Sequence, residues 1–145
     1  MKNLTLMSVC LVFLSCGNSN DFRNHDPEFK DFEKSWCHMT SASTYPNLST
    51  TNLTAVQKND LKAKWLSEDK YFNCDNYILT VDCGTSCQRN LILNAVSGDL
   101  IGEINSTNGI SFTKESSLIV VNASSDQNSK TEFWNVSDNQ LLKIK

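Results

Sequence analysis

The 145-residue sequence contains few glycines, prolines and histidines, with counts of 5, 2 and 2. Such a composition excludes collagen-like and low-complexity chains. Positive charge is also scarce, because 13 Lys and Arg are outnumbered by 16 Asp and Glu, which gives a net charge of -3. Nucleic-acid binding depends on clustered Lys and Arg that neutralise phosphates. The sequence therefore predicts no nucleic-acid partner.

No apolar run beyond residue 14 approaches the roughly 18 residues that a membrane-spanning helix needs. The hydrophobic share of 39% is still sufficient for a core, and the length fits one domain. The 17 asparagines, together with many Ser and Thr, indicate a polar surface that is rich in loops.

The first sixteen residues have the pattern of an export signal. Lys2 precedes an apolar run over residues 4–14, and this run ends in Ser15-Cys16. A short positive region, about 7–15 apolar residues and a small residue are typical of a secretory signal. The ending Phe13-Leu14-Ser15-Cys16 resembles the lipobox of bacterial lipoproteins, in which a small residue precedes the lipidated cysteine.

This resemblance implies cleavage before Cys16, lipid on its sulfur and amine, and a membrane anchor in the bacterial cell envelope. Gly17 after the cysteine implies sorting to the outer membrane, with the protein facing the periplasm. We therefore expect a signal peptide at 1–15, the lipidated Cys16 and a flexible tether at 16–25, and a single globular domain at 26–145. The alternative is ordinary secretion, with Cys16 merely near a conventional cleavage site.

Four cysteines remain in the predicted domain, namely Cys37, Cys74, Cys83 and Cys87. In an exported domain of this size, four cysteines indicate two disulfides, for which three pairings exist. Cys83 and Cys87 enclose a short segment, 84–86, that suits a local bridge. In that case Cys37 pairs with Cys74.

Redox chemistry and zinc binding are two other uses of these cysteines. A redox site requires an accessible thiolate with a lowered pKa, and Arg89 is the one cation beside the pair at 83 and 87. Zinc would require Cys74, Cys83 and Cys87 together with either Cys37 or His38, but the spacing of these residues matches no common zinc pattern. We therefore predict structural disulfides, with no metal and no cofactor.

The sequence predicts two short helices before a β-rich region. Asp26-Pro27 is a typical helix start, and Thr54 with Gln57 forms a capping-box pattern before a second helix. The apolar residues at helical spacing are Phe29, Phe32 and Trp36 in the first segment and Leu61, Trp65 and Leu66 in the second. This phase places Trp36 and Trp65 in the core.

From Tyr71 onward the pattern becomes that of short strands separated by polar turns. The predicted strand segments are 77–81, 90–96, 100–104, 110–113, 118–122, 131–136 and 140–144. Six or seven strands at this spacing predict an antiparallel meander, built as a sandwich or a curled sheet. The expected fold class is therefore α+β and mostly β.

Residues 77–88 resemble part of a family of small exported bacterial proteins of unknown function, in which a strand is followed by Gly-Cys-Gly-Thr-Gly-Cys-Gln. Here the corresponding turn reads Asp82-Cys83-Gly84-Thr85-Ser86-Cys87-Gln88, and segments 91–99 and 112–121 and Phe133-Trp134 resemble the same family. The resemblance implies a β-meander with a Cys83–Cys87 bridge, and it implies no activity.

Catalytic motifs are missing from the sequence: it has no nucleophile elbow and no H-E-x-x-H pattern. His25 lies in the predicted tether and His38 follows a predicted disulfide cysteine, so neither is well placed as a base. The carboxylates that we interpret as solvated helix faces, not as an acid/base pair, are Asp31, Glu33, Glu68 and Asp69. We therefore predict a protein that is not an enzyme.

Aromatic side chains often dominate protein-recognition surfaces. The candidates for a partner-binding patch are Tyr45, Tyr71, Phe72 and Trp134. We expect a small protein-binding module, such as an inhibitor or immunity protein against a basic envelope-targeting toxin or a lysozyme-like enzyme, because negative charge steers toward basic partners. The alternatives are a structural or accessory envelope lipoprotein without a tight partner, and a thiol–disulfide exchange protein.

Overall fold

The computed structural model describes residues 25–37, 45–65, 71–122 and 130–145. The predicted signal peptide, Cys16, nearly all of the tether and the residues His38, Leu66, Glu68 and Asp69 lie outside these ranges. Within the described ranges, no helix combines the length and the apolar character that crossing a membrane requires.

Within the described ranges, eight strands form two antiparallel sheets of four, and each sheet pairs its strands in chain order. The first sheet consists of β1 (Tyr71–Phe72), β2 (Asn76–Gly84), β3 (Cys87–Asn94) and β4 (Leu100–Ser106). The second consists of β5 (Ile110–Ser111), β6 (Leu118–Val121), β7 (Glu132–Ser137) and β8 (Gln140–Lys143). The prediction of a mostly β, antiparallel fold is confirmed. The prediction missed β1, because two residues are too few to show a strand pattern.

The chain changes sheets at residues 107–109, where Thr107-Asn108-Gly109 has the sequence of a tight turn. The side-chain Oδ1 of Asn122, which follows β6, accepts hydrogen bonds from the backbone N–H groups of Thr107 at 2.8 Å and Asn108 at 3.0 Å. The N–H of Asn122 donates to the carbonyl of Gly109 at 2.9 Å. These bonds attach the turn to the second sheet, and β4 does not pair with β5. The predicted meander of six or seven strands is therefore matched only in part, because the strands form two meanders, one in each sheet.

The first sheet is covered on both faces, because successive residues of a strand point to opposite sides. One face forms the helix-side core, which contains Tyr77, Leu79, Leu91 and Leu93 together with Leu61 and Trp65. The other face forms the inter-sheet core, in which Ile78, Ile92 and Ile104 pack with Ile119, Val121 and Val136 of the second sheet. The molecule thus has three layers, and burial on both faces explains the continuous apolar run of β2.

The second predicted helix is present as α1 (Ala55–Lys64). The N–H of Gln57 donates to Oγ1 of Thr54 at 3.2 Å, and the N–H of Thr54 donates to Oε1 of Gln57 at 3.0 Å, which completes the capping box. Leu61 and Trp65 are buried, as predicted. The helix therefore covers the outer face of the first sheet.

The first predicted helix is reduced to a 3-10 helix of four residues, Phe29–Phe32, whose N-cap is Glu28. The chain then becomes extended at Glu33, and the carbonyl of Phe32 accepts a hydrogen bond from the N–H of Ser117 at 3.1 Å. Because the helical phase ends there, Trp36 is not carried into the core and is 77% exposed. The predictions of a longer helix and of a buried Trp36 are wrong.

Two disulfides join the four cysteines of the described chain, as predicted from their spacing. The long-range disulfide, Cys37–Cys74, ties the N-terminal segment to the turn between β1 and β2. The hairpin disulfide, Cys83–Cys87, closes the turn between β2 and β3. The N-terminal segment is further held by an ion pair between Lys145 Nζ and the Asp26 carboxylate at 2.9 Å.

Candidate functional site

A polar cleft of about 450 Å³ lies where the ends of the two sheets meet. Its walls come from the β1–β2 turn, the end of β3, the β7–β8 hairpin and Lys34 of the N-terminal segment. Five asparagines line it, and we call it the amide cleft: Asn73, Asn76, Asn94, Asn135 and Asn139.

Strand register brings two of these asparagines to the same wall. Asn76 of β2 pairs with Phe72 on one side and with Asn94 on the other. Directly opposed residues of neighbouring strands lie on the same face of a sheet. Phe72 belongs to the inter-sheet core, so Asn76 and Asn94 also face the second sheet. They stand at the end of the sheet, where the apolar rows of that core stop.

Two side-chain amides connect the sheets across the cleft. The Nδ2 of Asn94 donates to Oδ1 of Asn139 at 3.0 Å, and the Nδ2 of Asn73 donates to the carbonyl of Val136 at 3.3 Å. These bonds join residues that are 45 and 63 positions apart in the chain. The separation of the two walls is therefore fixed by direct hydrogen bonds.

The backbone of both walls adopts left-handed conformations that Asn and Asp tolerate better than most residues. Asn73 has a φ of 51°, and the hairpin residues Asp138 and Asn139 have φ of 51° and 57°. Two successive positive φ values are typical of the tight turn that joins β-hairpin strands. Cys74, with a φ of 63°, is held in this region by the long-range disulfide and by a hydrogen bond from its N–H to the carbonyl of Lys114 at 2.7 Å.

Two buried acceptors of the amide cleft are unsatisfied. Asn73 and Asn76 are each 3% exposed, and the side-chain Oδ1 of each has no hydrogen-bond partner within the described ranges. Leaving a buried polar group without a partner costs about 1–3 kcal/mol. A native structure retains few such groups, and each one calls for an explanation.

Asn90 is a buried asparagine of the same sheet whose side-chain amide is hydrogen-bonded through both its oxygen and its nitrogen. Its Oδ1 accepts from Thr80 Oγ1 at 2.8 Å, and its Nδ2 donates to the carbonyl of Ile104 at 3.2 Å and to Ser106 Oγ at 3.0 Å. Asn90 is fully buried and fully bonded. Asn73 and Asn76 differ from Asn90 in this respect, because their Oδ1 atoms have no partner within the described ranges.

The charges of the cleft are unequal. Lys34 Nζ lies 3.3 Å from the Asp75 carboxylate and donates to the carbonyl of Asn73 at 3.2 Å. The Asp138 carboxylate accepts from Ser137 Oγ at 3.2 Å, and no cation of the described chain pairs with it. One ammonium and two carboxylates give the walls a negative balance and a surplus of acceptors.

The four predicted partner-binding aromatics do not form one surface. Tyr71 and Phe72 are buried, and their rings lie 4.1 Å from Tyr77 and 5.9 Å from Phe112 respectively. Their assignment to an exposed patch is wrong, because β1 turns the two residues into the two cores. The other two candidates lie on separate elements, Tyr45 beside Gly98 and Trp134 on β7.

Trp134 belongs to a small polar cluster instead. Its Nε1 donates to Glu132 Oε2 at 3.2 Å, and Lys143 Nζ lies 5.6 Å from the centre of its ring. Lys143 also forms an ion pair with Glu132. The hydrogen bond from Lys143, followed by that from Trp134, lowers the pKa of the Glu132 carboxyl below its usual range, while partial burial opposes the shift.

Sequence reasoning missed the amide cleft, because it treated the asparagines as loop and surface residues. The available signal was their position beside strand ends, in Asn73-Cys74-Asp75-Asn76 and Asp138-Asn139. Across the described ranges, no group of three or more His, Cys, Asp or Glu side chains is arranged to hold a metal ion. His25 is exposed at the start of the first range.

Comparison with known proteins finds no family model, no curated protein and no solved structure that matches this chain.

Proposed function

We propose that the chain is a lipid-anchored, non-catalytic protein-binding module of the bacterial cell envelope. In this proposal Cys16 carries the lipid, the outer membrane holds the protein, and the domain faces the periplasm. The two disulfides support an exported location, since such bonds persist in oxidising compartments.

The amide cleft is the observation that carries the binding role. Its walls are fixed by cross-sheet hydrogen bonds and by the long-range disulfide, and its two carboxylates outnumber its one ammonium. A preorganised polar site favours a ligand of opposite charge, because the cost of ordering the site has already been met.

The partner that fits this site best is a basic protein. The surplus of carboxylates in the cleft and the net charge of -3 both attract positive charge. An inhibitor or immunity protein that blocks a basic toxin or a lysozyme-like enzyme would have these properties.

The hairpin disulfide leaves a second candidate function, thiol–disulfide exchange, because Cys83 is exposed. Insulin reduction well above a glutathione control would favour that alternative.

Affinity capture tests the binding role. The full chain, retained on beads in detergent, is exposed to envelope extract of its native host, and the captured proteins are identified by mass spectrometry. We expect a basic protein that the wild type retains and that excess soluble wild type displaces. Absence of any displaceable protein would contradict the proposal and would favour a structural lipoprotein.

Lipidation is tested with a matched pair of serine substitutions. Cys16→Ser removes the proposed acceptor of the lipid and should leave unprocessed precursor without incorporated palmitate. Cys10→Ser makes the same change six residues earlier and should be processed normally. Normal processing and a soluble product from Cys16→Ser would show that the protein is secreted without an anchor.

A further inference from the structure

We infer that Asn108 is a modification site, at which the folded chain converts its own asparagine into aspartate and isoaspartate. The reaction needs no enzyme and no partner, so the inference is independent of the proposed binding function. Three features carry it: the residue that follows Asn108, the hydrogen bonding of that residue, and the position of both residues in the connection between the sheets.

The sequence supplies the reacting groups. Asn108 is followed by Gly109, and this is the only Asn-Gly pair in the sequence. The backbone nitrogen of Gly109 attacks the side-chain carbonyl carbon of Asn108, and the side-chain NH₂ leaves with the N–H proton of Gly109 as ammonia. Water then opens the resulting cyclic succinimide at either of its carbonyl carbons, which gives aspartate or isoaspartate. The chain loses ammonia and gains water, so the step requires no oxidant or reductant.

The attacking nitrogen of Gly109 is not held by another group. Within the described ranges, Gly109 is hydrogen-bonded through its carbonyl, which accepts from the N–H of Asn122 at 2.9 Å, and its own N–H donates no hydrogen bond. A bonded N–H would have to lose its acceptor before its nitrogen could turn toward the side chain of Asn108. Asn108 is exposed and Gly109 is half-buried, so water reaches both residues.

The space around Gly109 also permits the attack. A Cβ placed on this residue would have one non-neighbouring atom of the described chain within 4 Å, namely Gln88 Oε1 at 3.5 Å. The φ of Gly109 is 84°, in the left-handed region that glycine adopts at least cost. The turn therefore requires the residue type that obstructs the reaction least.

The isoaspartate product would alter the connection between the two sheets. The N–H of Asn108 donates to Oδ1 of Asn122 at 3.0 Å, and the carbonyl of Gly109 accepts from the N–H of Asn122. Isoaspartate adds one carbon atom to the main chain between these two anchored groups, so Asn122 cannot serve both in the same geometry. Formation of isoaspartate should therefore loosen the turn through which the chain leaves the first sheet.

Asn105 provides an internal comparison in the same part of the chain. It precedes the small residue Ser106, but both residues lie in β4, where they pair with Arg89 and Gln88 of β3. The reaction requires the nitrogen and the carbon to come into near contact, and the strand holds the backbone extended. We therefore expect at least about tenfold more product at Asn108 than at Asn105.

The test is incubation of the purified full chain in detergent at mildly alkaline pH, with peptide mapping by mass spectrometry at intervals. Chromatography separates the aspartate and isoaspartate peptides, and methylation by an isoaspartate methyltransferase measures the isoaspartate. We expect both products at Asn108, and slower formation at mildly acidic pH, because the attacking nitrogen must lose its proton. A parallel incubation in urea gives the rate of the unfolded chain, and the folded chain should react within about tenfold of it.

Three substitutions provide the controls. Asn108→Gln should block the reaction, because its longer side chain closes a ring much less readily, while Asn105→Gln should leave the rate at Asn108 unchanged. Asn108→Asp carries the charge of the product without the additional main-chain atom. We expect the isoaspartate form, isolated by ion exchange, to melt at a lower temperature than Asn108→Asp.

Four results would contradict this account. Absence of product at Asn108 in the folded chain, or equal product at Asn105, would overturn the inference. Product that forms only in urea would show that the folded turn prevents the reaction, which also overturns it. Aspartate without isoaspartate would indicate direct hydrolysis of the side chain and exclude attack by Gly109. An isoaspartate form that melts together with Asn108→Asp would refute the loosening of the turn.

Discussion

Replacing Asn76 by leucine should stabilise the protein, which is unusual for a polar-to-apolar change in a well-packed sheet. Asn76 is 3% exposed and its Oδ1 is unpaired within the described chain. A buried acceptor without a partner costs about 1–3 kcal/mol, and leucine has the same branching without the polar atoms. We expect the free energy of unfolding of Asn76→Leu to rise by about 1 kcal/mol.

Asn90→Leu is the matched control in the same sheet. Asn90 makes three side-chain hydrogen bonds, with Thr80, Ile104 and Ser106. Leucine at this position leaves those groups without their partner, and we expect the free energy of unfolding to fall by about 2–3 kcal/mol. The opposite signs of the two changes are the result that the reasoning requires.

Urea unfolding followed by circular dichroism measures both variants, with the slope of the transition checked against the wild type. A gain of about 1 kcal/mol corresponds to a rise of a few degrees in the melting temperature of a domain of this size. If Asn76→Leu destabilises the protein as much as Asn90→Leu does, the Asn76 amide is structural. The unpaired Oδ1 of Asn76 would then impose no net cost on the fold.

Two further predictions concern stability. A disulfide that closes a longer loop removes more entropy from the unfolded chain. Serine substitution of both cysteines should therefore lower the free energy of unfolding by about 4 kcal/mol for the long-range disulfide and by about 2 kcal/mol for the hairpin disulfide, as measured by urea unfolding. Similar losses for the two disulfides would contradict this explanation. Because its pKa is lowered in the folded state, Glu132 stabilises the protein at neutral pH and loses this effect as the pH falls through the lowered value. Unfolding across acid pH should therefore show wild type and Glu132→Gln converging, and a constant difference between them would exclude the ion pair with Lys143 as the cause.

Local signals predicted the parts of the fold that depend on neighbouring residues. The capping box of Thr54 and Gln57 placed α1, and the predicted segments 77–81, 90–96 and 100–104 correspond to β2, β3 and β4 within a few residues. The pairing of the cysteines followed from the short loop between Cys83 and Cys87. Each of these features is specified within a few positions of the chain.

Features that depend on distant contacts were not predictable in this way. The sequence at 107–109 suits both a hairpin turn within one sheet and a connection between two sheets. The hydrogen bonds from Thr107 and Asn108 to Asn122 hold it in the second form. The amide cleft combines Asn73 with Val136, 63 residues apart. Whether an asparagine is buried and unpaired depends on such packing, and no local pattern distinguishes Asn76 from Asn90.

The central claim is that the protein binds a basic partner through the amide cleft. The most direct measurement is the dissociation constant of the captured partner for full-length wild type, for Asp138→Asn in the cleft and for Asp82→Asn, the same change in an exposed residue of β2, at one salt concentration. We predict about tenfold weaker binding for Asp138→Asn and less than about twofold change for Asp82→Asn. Equal losses in the two variants would show general electrostatic attraction, and equal affinity in all three would contradict the claim.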